Sequence, residues 1–253
     1  ANPYLASFSL ANSFKFRQEI IKIDHAFNDN FSGYYRYQRD KIPTREGNAL
    51  FSSGSGLPGV SDTSTDSPGR THTLQLTWAA SQGIVIEGRY NYSYGAILSN
   101  NVGLLALSNS SIPITLPYAN ERDRVPTLTG NGFTGLTSFG PYDNFSDKHT
   151  YTGSVSWTRG GHTMKFGAVH SMYRKNENAL AGNNEGIFNV FGTTVASGVA
   201  NTTLNQNIQR WANFLAGNVG ANGFTQARFD YTADLRQKAI EAYAQDEWRV
   251  LFG

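Results

Sequence analysis

Apolar and polar side chains alternate with a period of two along much of this chain, in pairs of runs joined by tight turns. In the first pair Ile21, Ile23 and Phe27 share one face, while Lys22, Asp24 and Ala26 take the other. A turn at Asn28-Asp29-Asn30, residue types that tolerate left-handed backbone, leads into the return run. There Phe31, Gly33, Tyr35 and Tyr37 oppose Ser32, Tyr34, Arg36 and Gln38. The second pair sets Leu74, Leu76 and Trp78 against Thr73, Gln75 and Thr77, turns near Gln82-Gly83, and returns with Ile84, Ile86, Gly88, Tyr90, Tyr92 and Tyr94 on one side. In the third, Tyr151, Val155 and Trp157 lead through Arg159-Gly160-Gly161 to Met164, Phe166 and Ala168. A final run over 238–250 places Ile240, Ala242, Ala244, Trp248 and Val250 together, with Asp246 interrupting that face.

The connections carry as much information as the runs. Within a pair they take two to four residues, but between pairs they extend to roughly 30, 50 and 60 residues. Short turns alternating with long loops, and runs of about ten residues, are the pattern of a transmembrane β-barrel with short periplasmic turns and long extracellular loops. The segment 47–69, rich in Ser, Gly, Asp and Pro, reads as a mobile loop. One helix is predicted in the last loop: Ile208, Trp211, Ala212 and Leu215 fall at helical spacing, with Asn205 as N-cap and Gly217 past the end. Short strands over 187–191 and 225–234 flank it. The fold class expected is therefore all-β: an antiparallel transmembrane β-barrel segment of about seven long strands, an open curved sheet with long extracellular loops and one short loop helix.

Alternation also describes a soluble sandwich, such as a surface adhesin or carbohydrate-binding protein, whose apolar faces pack on a second sheet. Three features favour the barrel. Aromatics gather towards strand ends (Phe27, Phe31, Trp78, Trp157, Trp248), long loops occur on one side only, and the opposite face is small and polar, as a lumen requires.

Composition sharpens this picture. Charged residues make up only 16% of the chain and aromatics 13%, a balance suited to strands that show one face to lipid and one to water. The apolar stretches break after a handful of residues, far short of the roughly 20 needed by a membrane helix. A net charge of +2 gives no support to nucleic-acid binding, and the absence of cysteine excludes disulfides and thiolate metal sites.

Candidate chemistry is sparse. His162 and His170 lie eight residues apart, too far along one strand to share an ion, so no metal site or cofactor is expected. Gly54-Ser-Gly-Leu-Pro-Gly59 fits a dinucleotide pattern formally, but no buried strand precedes it and Pro58 suits a loop. Glu241 and Glu247 lie about 20 Å apart along their strand, which fits lumen charges better than acid–base work. The chain is not expected to be an enzyme. Ligand capture would fall to aromatics and cations of the long loops, and the candidates are Tyr118, Arg122, Arg124, Phe139, Tyr142 and Trp211.

Four segments in order carry a family resemblance. Ile21-Lys-Ile-Asp-His-Ala-Phe-Asn-Asp-Asn-Phe31 followed by Tyr35-Arg-Tyr37 resembles an early barrel hairpin of Oar-like TonB-dependent receptors. Gly161-His-Thr-Met-Lys-Phe-Gly167 is similar to a later strand, Trp211-Ala-Asn-Phe-Leu-Ala-Gly217 to the loop helix, and Ala242-Tyr-Ala-Gln-Asp-Glu-Trp-Arg-Val250 to a recurring strand. The resemblance implies a barrel of about 22 strands around a plug, importing a small molecule, oligosaccharide or peptide across the bacterial outer membrane with energy from the TonB complex. Residues 1–253 then read as a partial barrel domain, in contact with outer-membrane lipid, with plug, TonB box and remaining strands absent. A passive porin differs only in lacking plug and energy coupling.

Overall fold

A computed structural model of the chain describes residues 6–48, 50, 57–111, 113–129, 135–137, 140–178, 183–188, 191–219 and 223–250. Seven long strands dominate them: β1 (Arg17–Asn28), β2 (Phe31–Lys41), β3 (Gly69–Ser81), β4 (Ile84–Asn101), β5 (Tyr142–Arg159), β6 (His162–Glu177) and β7 (Ala233–Trp248). Each pairs antiparallel with its sequence neighbours, so the sheet is a meander from β1 to β7. The last strand starts earlier than the 238–250 read from alternation, because Ala233 already pairs with Glu177.

The tight turns share one end of the sheet. Asn28 Oδ1 accepts from the Asn30 amide at 2.9 Å in the first, and in the third Gly160 takes a φ of +59°, a backbone state costly for other residues. At the other end the strands outrun a bilayer. β4 and β5 have 18 residues each, where about 9–11 suffice for a tilted span.

Registry brings the alternating faces into continuous bands. Tyr35, Leu74, Tyr90, Tyr151, His170 and Ile240 follow one another across six strands. One level towards the turns, Gly33, Leu76, Gly88, Gly153, Ala168 and Ala242 do the same. The polar face forms a hydrogen-bonded mat: Thr73 donates to Asn91 Oδ1 at 2.7 Å, Arg89 Nη2 to Gln75 Oε1 at 2.6 Å, and Arg36 Nη2 to Gln38 Oε1 at 2.7 Å.

Exposure along the strands is the reverse of that in a water-soluble sheet. On β3, Leu74, Leu76 and Trp78 are exposed, whereas Thr71, Thr73, Gln75 and Thr77 are half-buried. Ile23 is 60% exposed and Ile240 80% exposed. Among the described residues no second sheet covers this face, since the extensive contacts between long strands are all between sheet neighbours. A sandwich would have buried these side chains, so the apolar face has lipid as its solvent. The buried apolar residues lie almost wholly in the loops and at the loop ends of strands: Leu50, Ala96, Leu105, Ala106, Val125, Tyr142 and Phe191.

Asp246, which interrupts the apolar face of β7, sits beside the third turn. Its Oδ2 lies 2.8 Å from His162 Nδ1, and the His162 ring stacks on Trp248. A charge is tolerated there because it meets a partner at the rim of the apolar band.

Candidate functional site: the extracellular loop layer

The described residues of the first long connection pair into the sheet, where their composition implies mobility. Pro43 and Pro68 interrupt the ladder, because proline has no N–H to give it. Beyond them pairing resumes, with Thr44–Glu46 against Thr63–Asp66, and Thr63–Asp66 against the end of β4. Glu46 is buried there, and its Oε2 accepts from the hydroxyls of Thr63 at 2.9 Å and Thr65 at 3.0 Å. The stretch read as mobile thus contributes a strand; residues 49 and 51–56 lie outside the described ones.

Backbone bonds then lock this loop to the second. The amides of Leu104 and Leu105 donate to the carbonyls of Gly59 and Val60, and Val125 donates to Leu105. The second loop is locked in turn to the third by a small sheet of Thr127–Leu128, Ile187–Phe188 and Phe224–Thr225. Phe188 and Phe224 pack there with ring centroids 4.8 Å apart. Ile187–Phe188 and Phe224–Thr225 overlap the stretches 187–191 and 225–234 read as strands; residues 189 and 190 lie outside the described ones.

Two arginines anchor the junction. Arg122 grips Asp230 bidentately, Nε to Oδ2 at 2.8 Å and Nη2 to Oδ1 at 2.9 Å, while Nη2 also donates to the Asn178 carbonyl at 3.0 Å. Arg124 is buried and pairs with the fully buried Glu185; its Nη1 donates to the Gly140 carbonyl at 3.0 Å. Burial, and then the neighbouring Arg122 charge, lower the Arg124 pKa to about 10, so it stays cationic at neutral pH. Asn184, also fully buried, accepts from the Glu121 amide at 2.6 Å and donates to the carbonyls of Ala119 and Ala227.

Of the six loop candidates, Arg122 and Arg124 therefore meet in one bonded frame. Tyr142 is buried close to it at the head of β5, where its hydroxyl donates to Glu177 Oε2 at 3.0 Å. Tyr118 is 45% exposed, and both its backbone groups are held by the Gln226 side chain. It lines a cleft of about 320 Å³ between Leu107 and the stretch from Ile114 to Asn120, a size suited to a small ligand. Trp211 stands apart on the helix α1 (Thr203–Leu215), and Phe139 lies outside the described residues.

The helix is capped by Thr202, whose hydroxyl accepts from the Asn205 amide at 3.2 Å, rather than by Asn205 itself. It ends at Gly217 with φ +65°. Its apolar stripe of Leu204, Ile208, Trp211 and Leu215 points outward, while Asn213 donates to the Gly192 carbonyl at 2.6 Å and Phe214 meets Phe191 edge to face. The partners that make the frame (Asn184, Glu185, Asp230, Gln226) carried no local signal, because they come from a loop 61 to 108 residues further along the chain. Among the described residues no three His, Asp or Glu side chains gather as metal ligands would.

Comparison with known proteins fits this architecture. No curated protein matches the sequence. The crystal structure of the outer membrane transporter YddB from Escherichia coli is similar at 14% identity and a TM-score of 0.37, covering 93% of this chain and 32% of that one. This chain thus spans about a third of that transporter's length. The family model of the outer membrane beta barrel domain matches residues 1–251, and the chain belongs to that family of the bacterial outer membrane.

Proposed function

We propose that this chain is wall and extracellular loops of a TonB-dependent, Oar-like receptor that takes up a ligand across the outer membrane. The observation that carries the reading is the loop layer: three long connections, all at one end of the sheet, interlock, the first with the second through backbone bonds and the second with the third through the Arg122–Asp230 and Arg124–Glu185 pairs, and leave a cleft beside Tyr118. A passive pore needs no such construction. In this reading the arginine frame and Tyr142 hold the loops in shape, and the exposed rings of Tyr118 and Trp211 meet a small molecule, oligosaccharide or peptide. The polar mat on the other sheet face lines the path inward, a plug domain closes it, and no covalent chemistry takes place.

Two measurements on the full-length protein test this. The purified protein is titrated with the periplasmic domain of TonB, and its conductance is recorded in planar bilayers. TonB binding together with a closed barrel is the expected result. A steady open conductance without TonB binding would overturn the reading in favour of a passive porin.

A further inference from the structure

The apolar band changes character towards the loop end of the sheet. Above the row of Tyr35, Leu74, Tyr90 and Tyr151 comes a row of Tyr37, His72, Tyr92 and His149. The two rows are joined edge to edge: the Tyr35 hydroxyl lies 2.7 Å from His72 Nδ1 and the Tyr90 hydroxyl 2.8 Å from His149 Nδ1. Such amphipathic rings belong where acyl chains give way to headgroups.

One level higher, on the same outward face, the registry sets Glu19, Arg39, Arg70, Tyr94, Asp147, Arg174 and Arg236 in line. Arg17, Lys41 and Asp234 follow just above, and Lys238 just below. Arg17 pairs with Glu19, and Asp234 with Arg174 and Arg236, so the cations of this rim outnumber its carboxylates. Arg39 and Arg70 are direct cross-strand partners. Like charges so placed repel. Among the described residues neither has a carboxylate within ion-pair distance; Arg70 lies over the Tyr94 ring at 4.7 Å. Next to them, Arg17, Glu19, Arg39 and Lys41 line a cleft of about 220 Å³ on the outward side.

Height agrees with chemistry. From Trp78, beside the short turn, to Arg70 is about eight residues, or about 26 Å along the strand. At a tilt near 40° that is about 20 Å along the membrane normal, close to the full height of the apolar band.

We propose that the outward rim of Arg39, Arg70, Arg174 and Arg236, with the cleft of Arg17 and Lys41, binds the phosphate headgroups of outer-leaflet lipid. The anion resolves the facing Arg39–Arg70 pair, which among the described residues has no carboxylate within ion-pair distance because Glu19, across from Arg39, is taken by Arg17, and the Tyr/His row below seats the start of the acyl chains. The site belongs to the barrel wall and holds whether or not the barrel is a TonB-dependent transporter.

The test uses the full-length protein in detergent, probed with phosphatidic acid and with phosphatidylcholine by native mass spectrometry and thermal unfolding. Phosphatidic acid should bind selectively, and R39Q or R70Q should each weaken it about fivefold. R39K should bind like the parent, as should R36Q and R89Q on the polar face. In neutral detergent R39Q should raise the unfolding temperature by relieving repulsion, and in phosphatidic acid it should lower it, a change of sign that a merely structural arginine would not give. Equal binding of phosphatidylcholine, full retention of phosphatidic acid by R39Q and R70Q, or saturation by inorganic phosphate alone would each overturn the proposal.

Discussion

At the scale of single residues, the costly groups of this chain are in its loops. Glu185 has no exposed surface, and the Arg124 guanidinium that meets it is nearly as buried. Removing one partner from such a pair leaves a bare charge in a poor solvent, at a cost of about 3–5 kcal/mol, whereas replacing both by apolar groups is often neutral. We therefore expect E185L to loosen the second and third loops strongly and R124M/E185L to restore much of the loss. Limited proteolysis of the folded protein reads this directly, and equal cleavage of the single and double variants would refute it. The exposed Arg17–Glu19 pair offers the contrast: E19Q should move stability by less than about 1 kcal/mol. Neither arginine of the frame could be told from a ligand-facing one by its neighbours in sequence. Arg122 and Arg124 flank Asp123, yet both turn to carboxylates of the third loop, while Asp123 caps Ser108.

At the scale of elements, each strand has two solvents. The apolar residues of β3 are its more exposed ones, which is stable only if the medium outside is hydrocarbon. Leu74 stands mid-band, midway between Trp78 and Arg70 and flanked by Tyr35 and Tyr90 on the neighbouring strands. L74R should cost about 2–4 kcal/mol in lipid, and Q75R, one residue on and facing the polar side, far less. Urea unfolding of the full-length protein in lipid vesicles measures both, and equal costs would contradict the assigned faces. The helix obeys a different logic. Its spacing was legible in sequence, but its apolar stripe points outward, because Asn213 and Phe214 supply its contacts with the rest of the loop.

At the scale of the whole molecule, core and surface are exchanged. A sheet without a covering layer stays folded because lipid takes the place of a core, and the residues buried by protein form a separate loop layer beyond the bilayer. Tryptophans report on this division. In single-tryptophan variants of the full-length protein, brominated acyl chains should quench Trp78, Trp157 and Trp248, and leave Trp211 on α1 bright. Comparable quenching of all four would show that the loop layer is not separate from the membrane.

Strand existence, pairing order and the choice of faces were determined by the sequence alone. They follow from a local rule: with side chains alternating across a strand, a run such as Leu74, Leu76 and Trp78 fixes its lipid side wherever it sits. The hairpin turns are equally local, set by residues such as Asn28 and Gly160. Everything that depends on distant partners was decided by tertiary structure. The pairing of Thr44–Glu46 with Thr63–Asp66, the burial of Arg124, the pairing of Arg122 with Asp230, and the outward turn of the helix stripe rest on contacts across tens of residues, which no local period encodes. The basic rim lies between these cases. Its arginines alternate in phase with the apolar residues of their own strands, but only the cross-strand register brings Arg39 opposite Arg70 and turns scattered charges into a row.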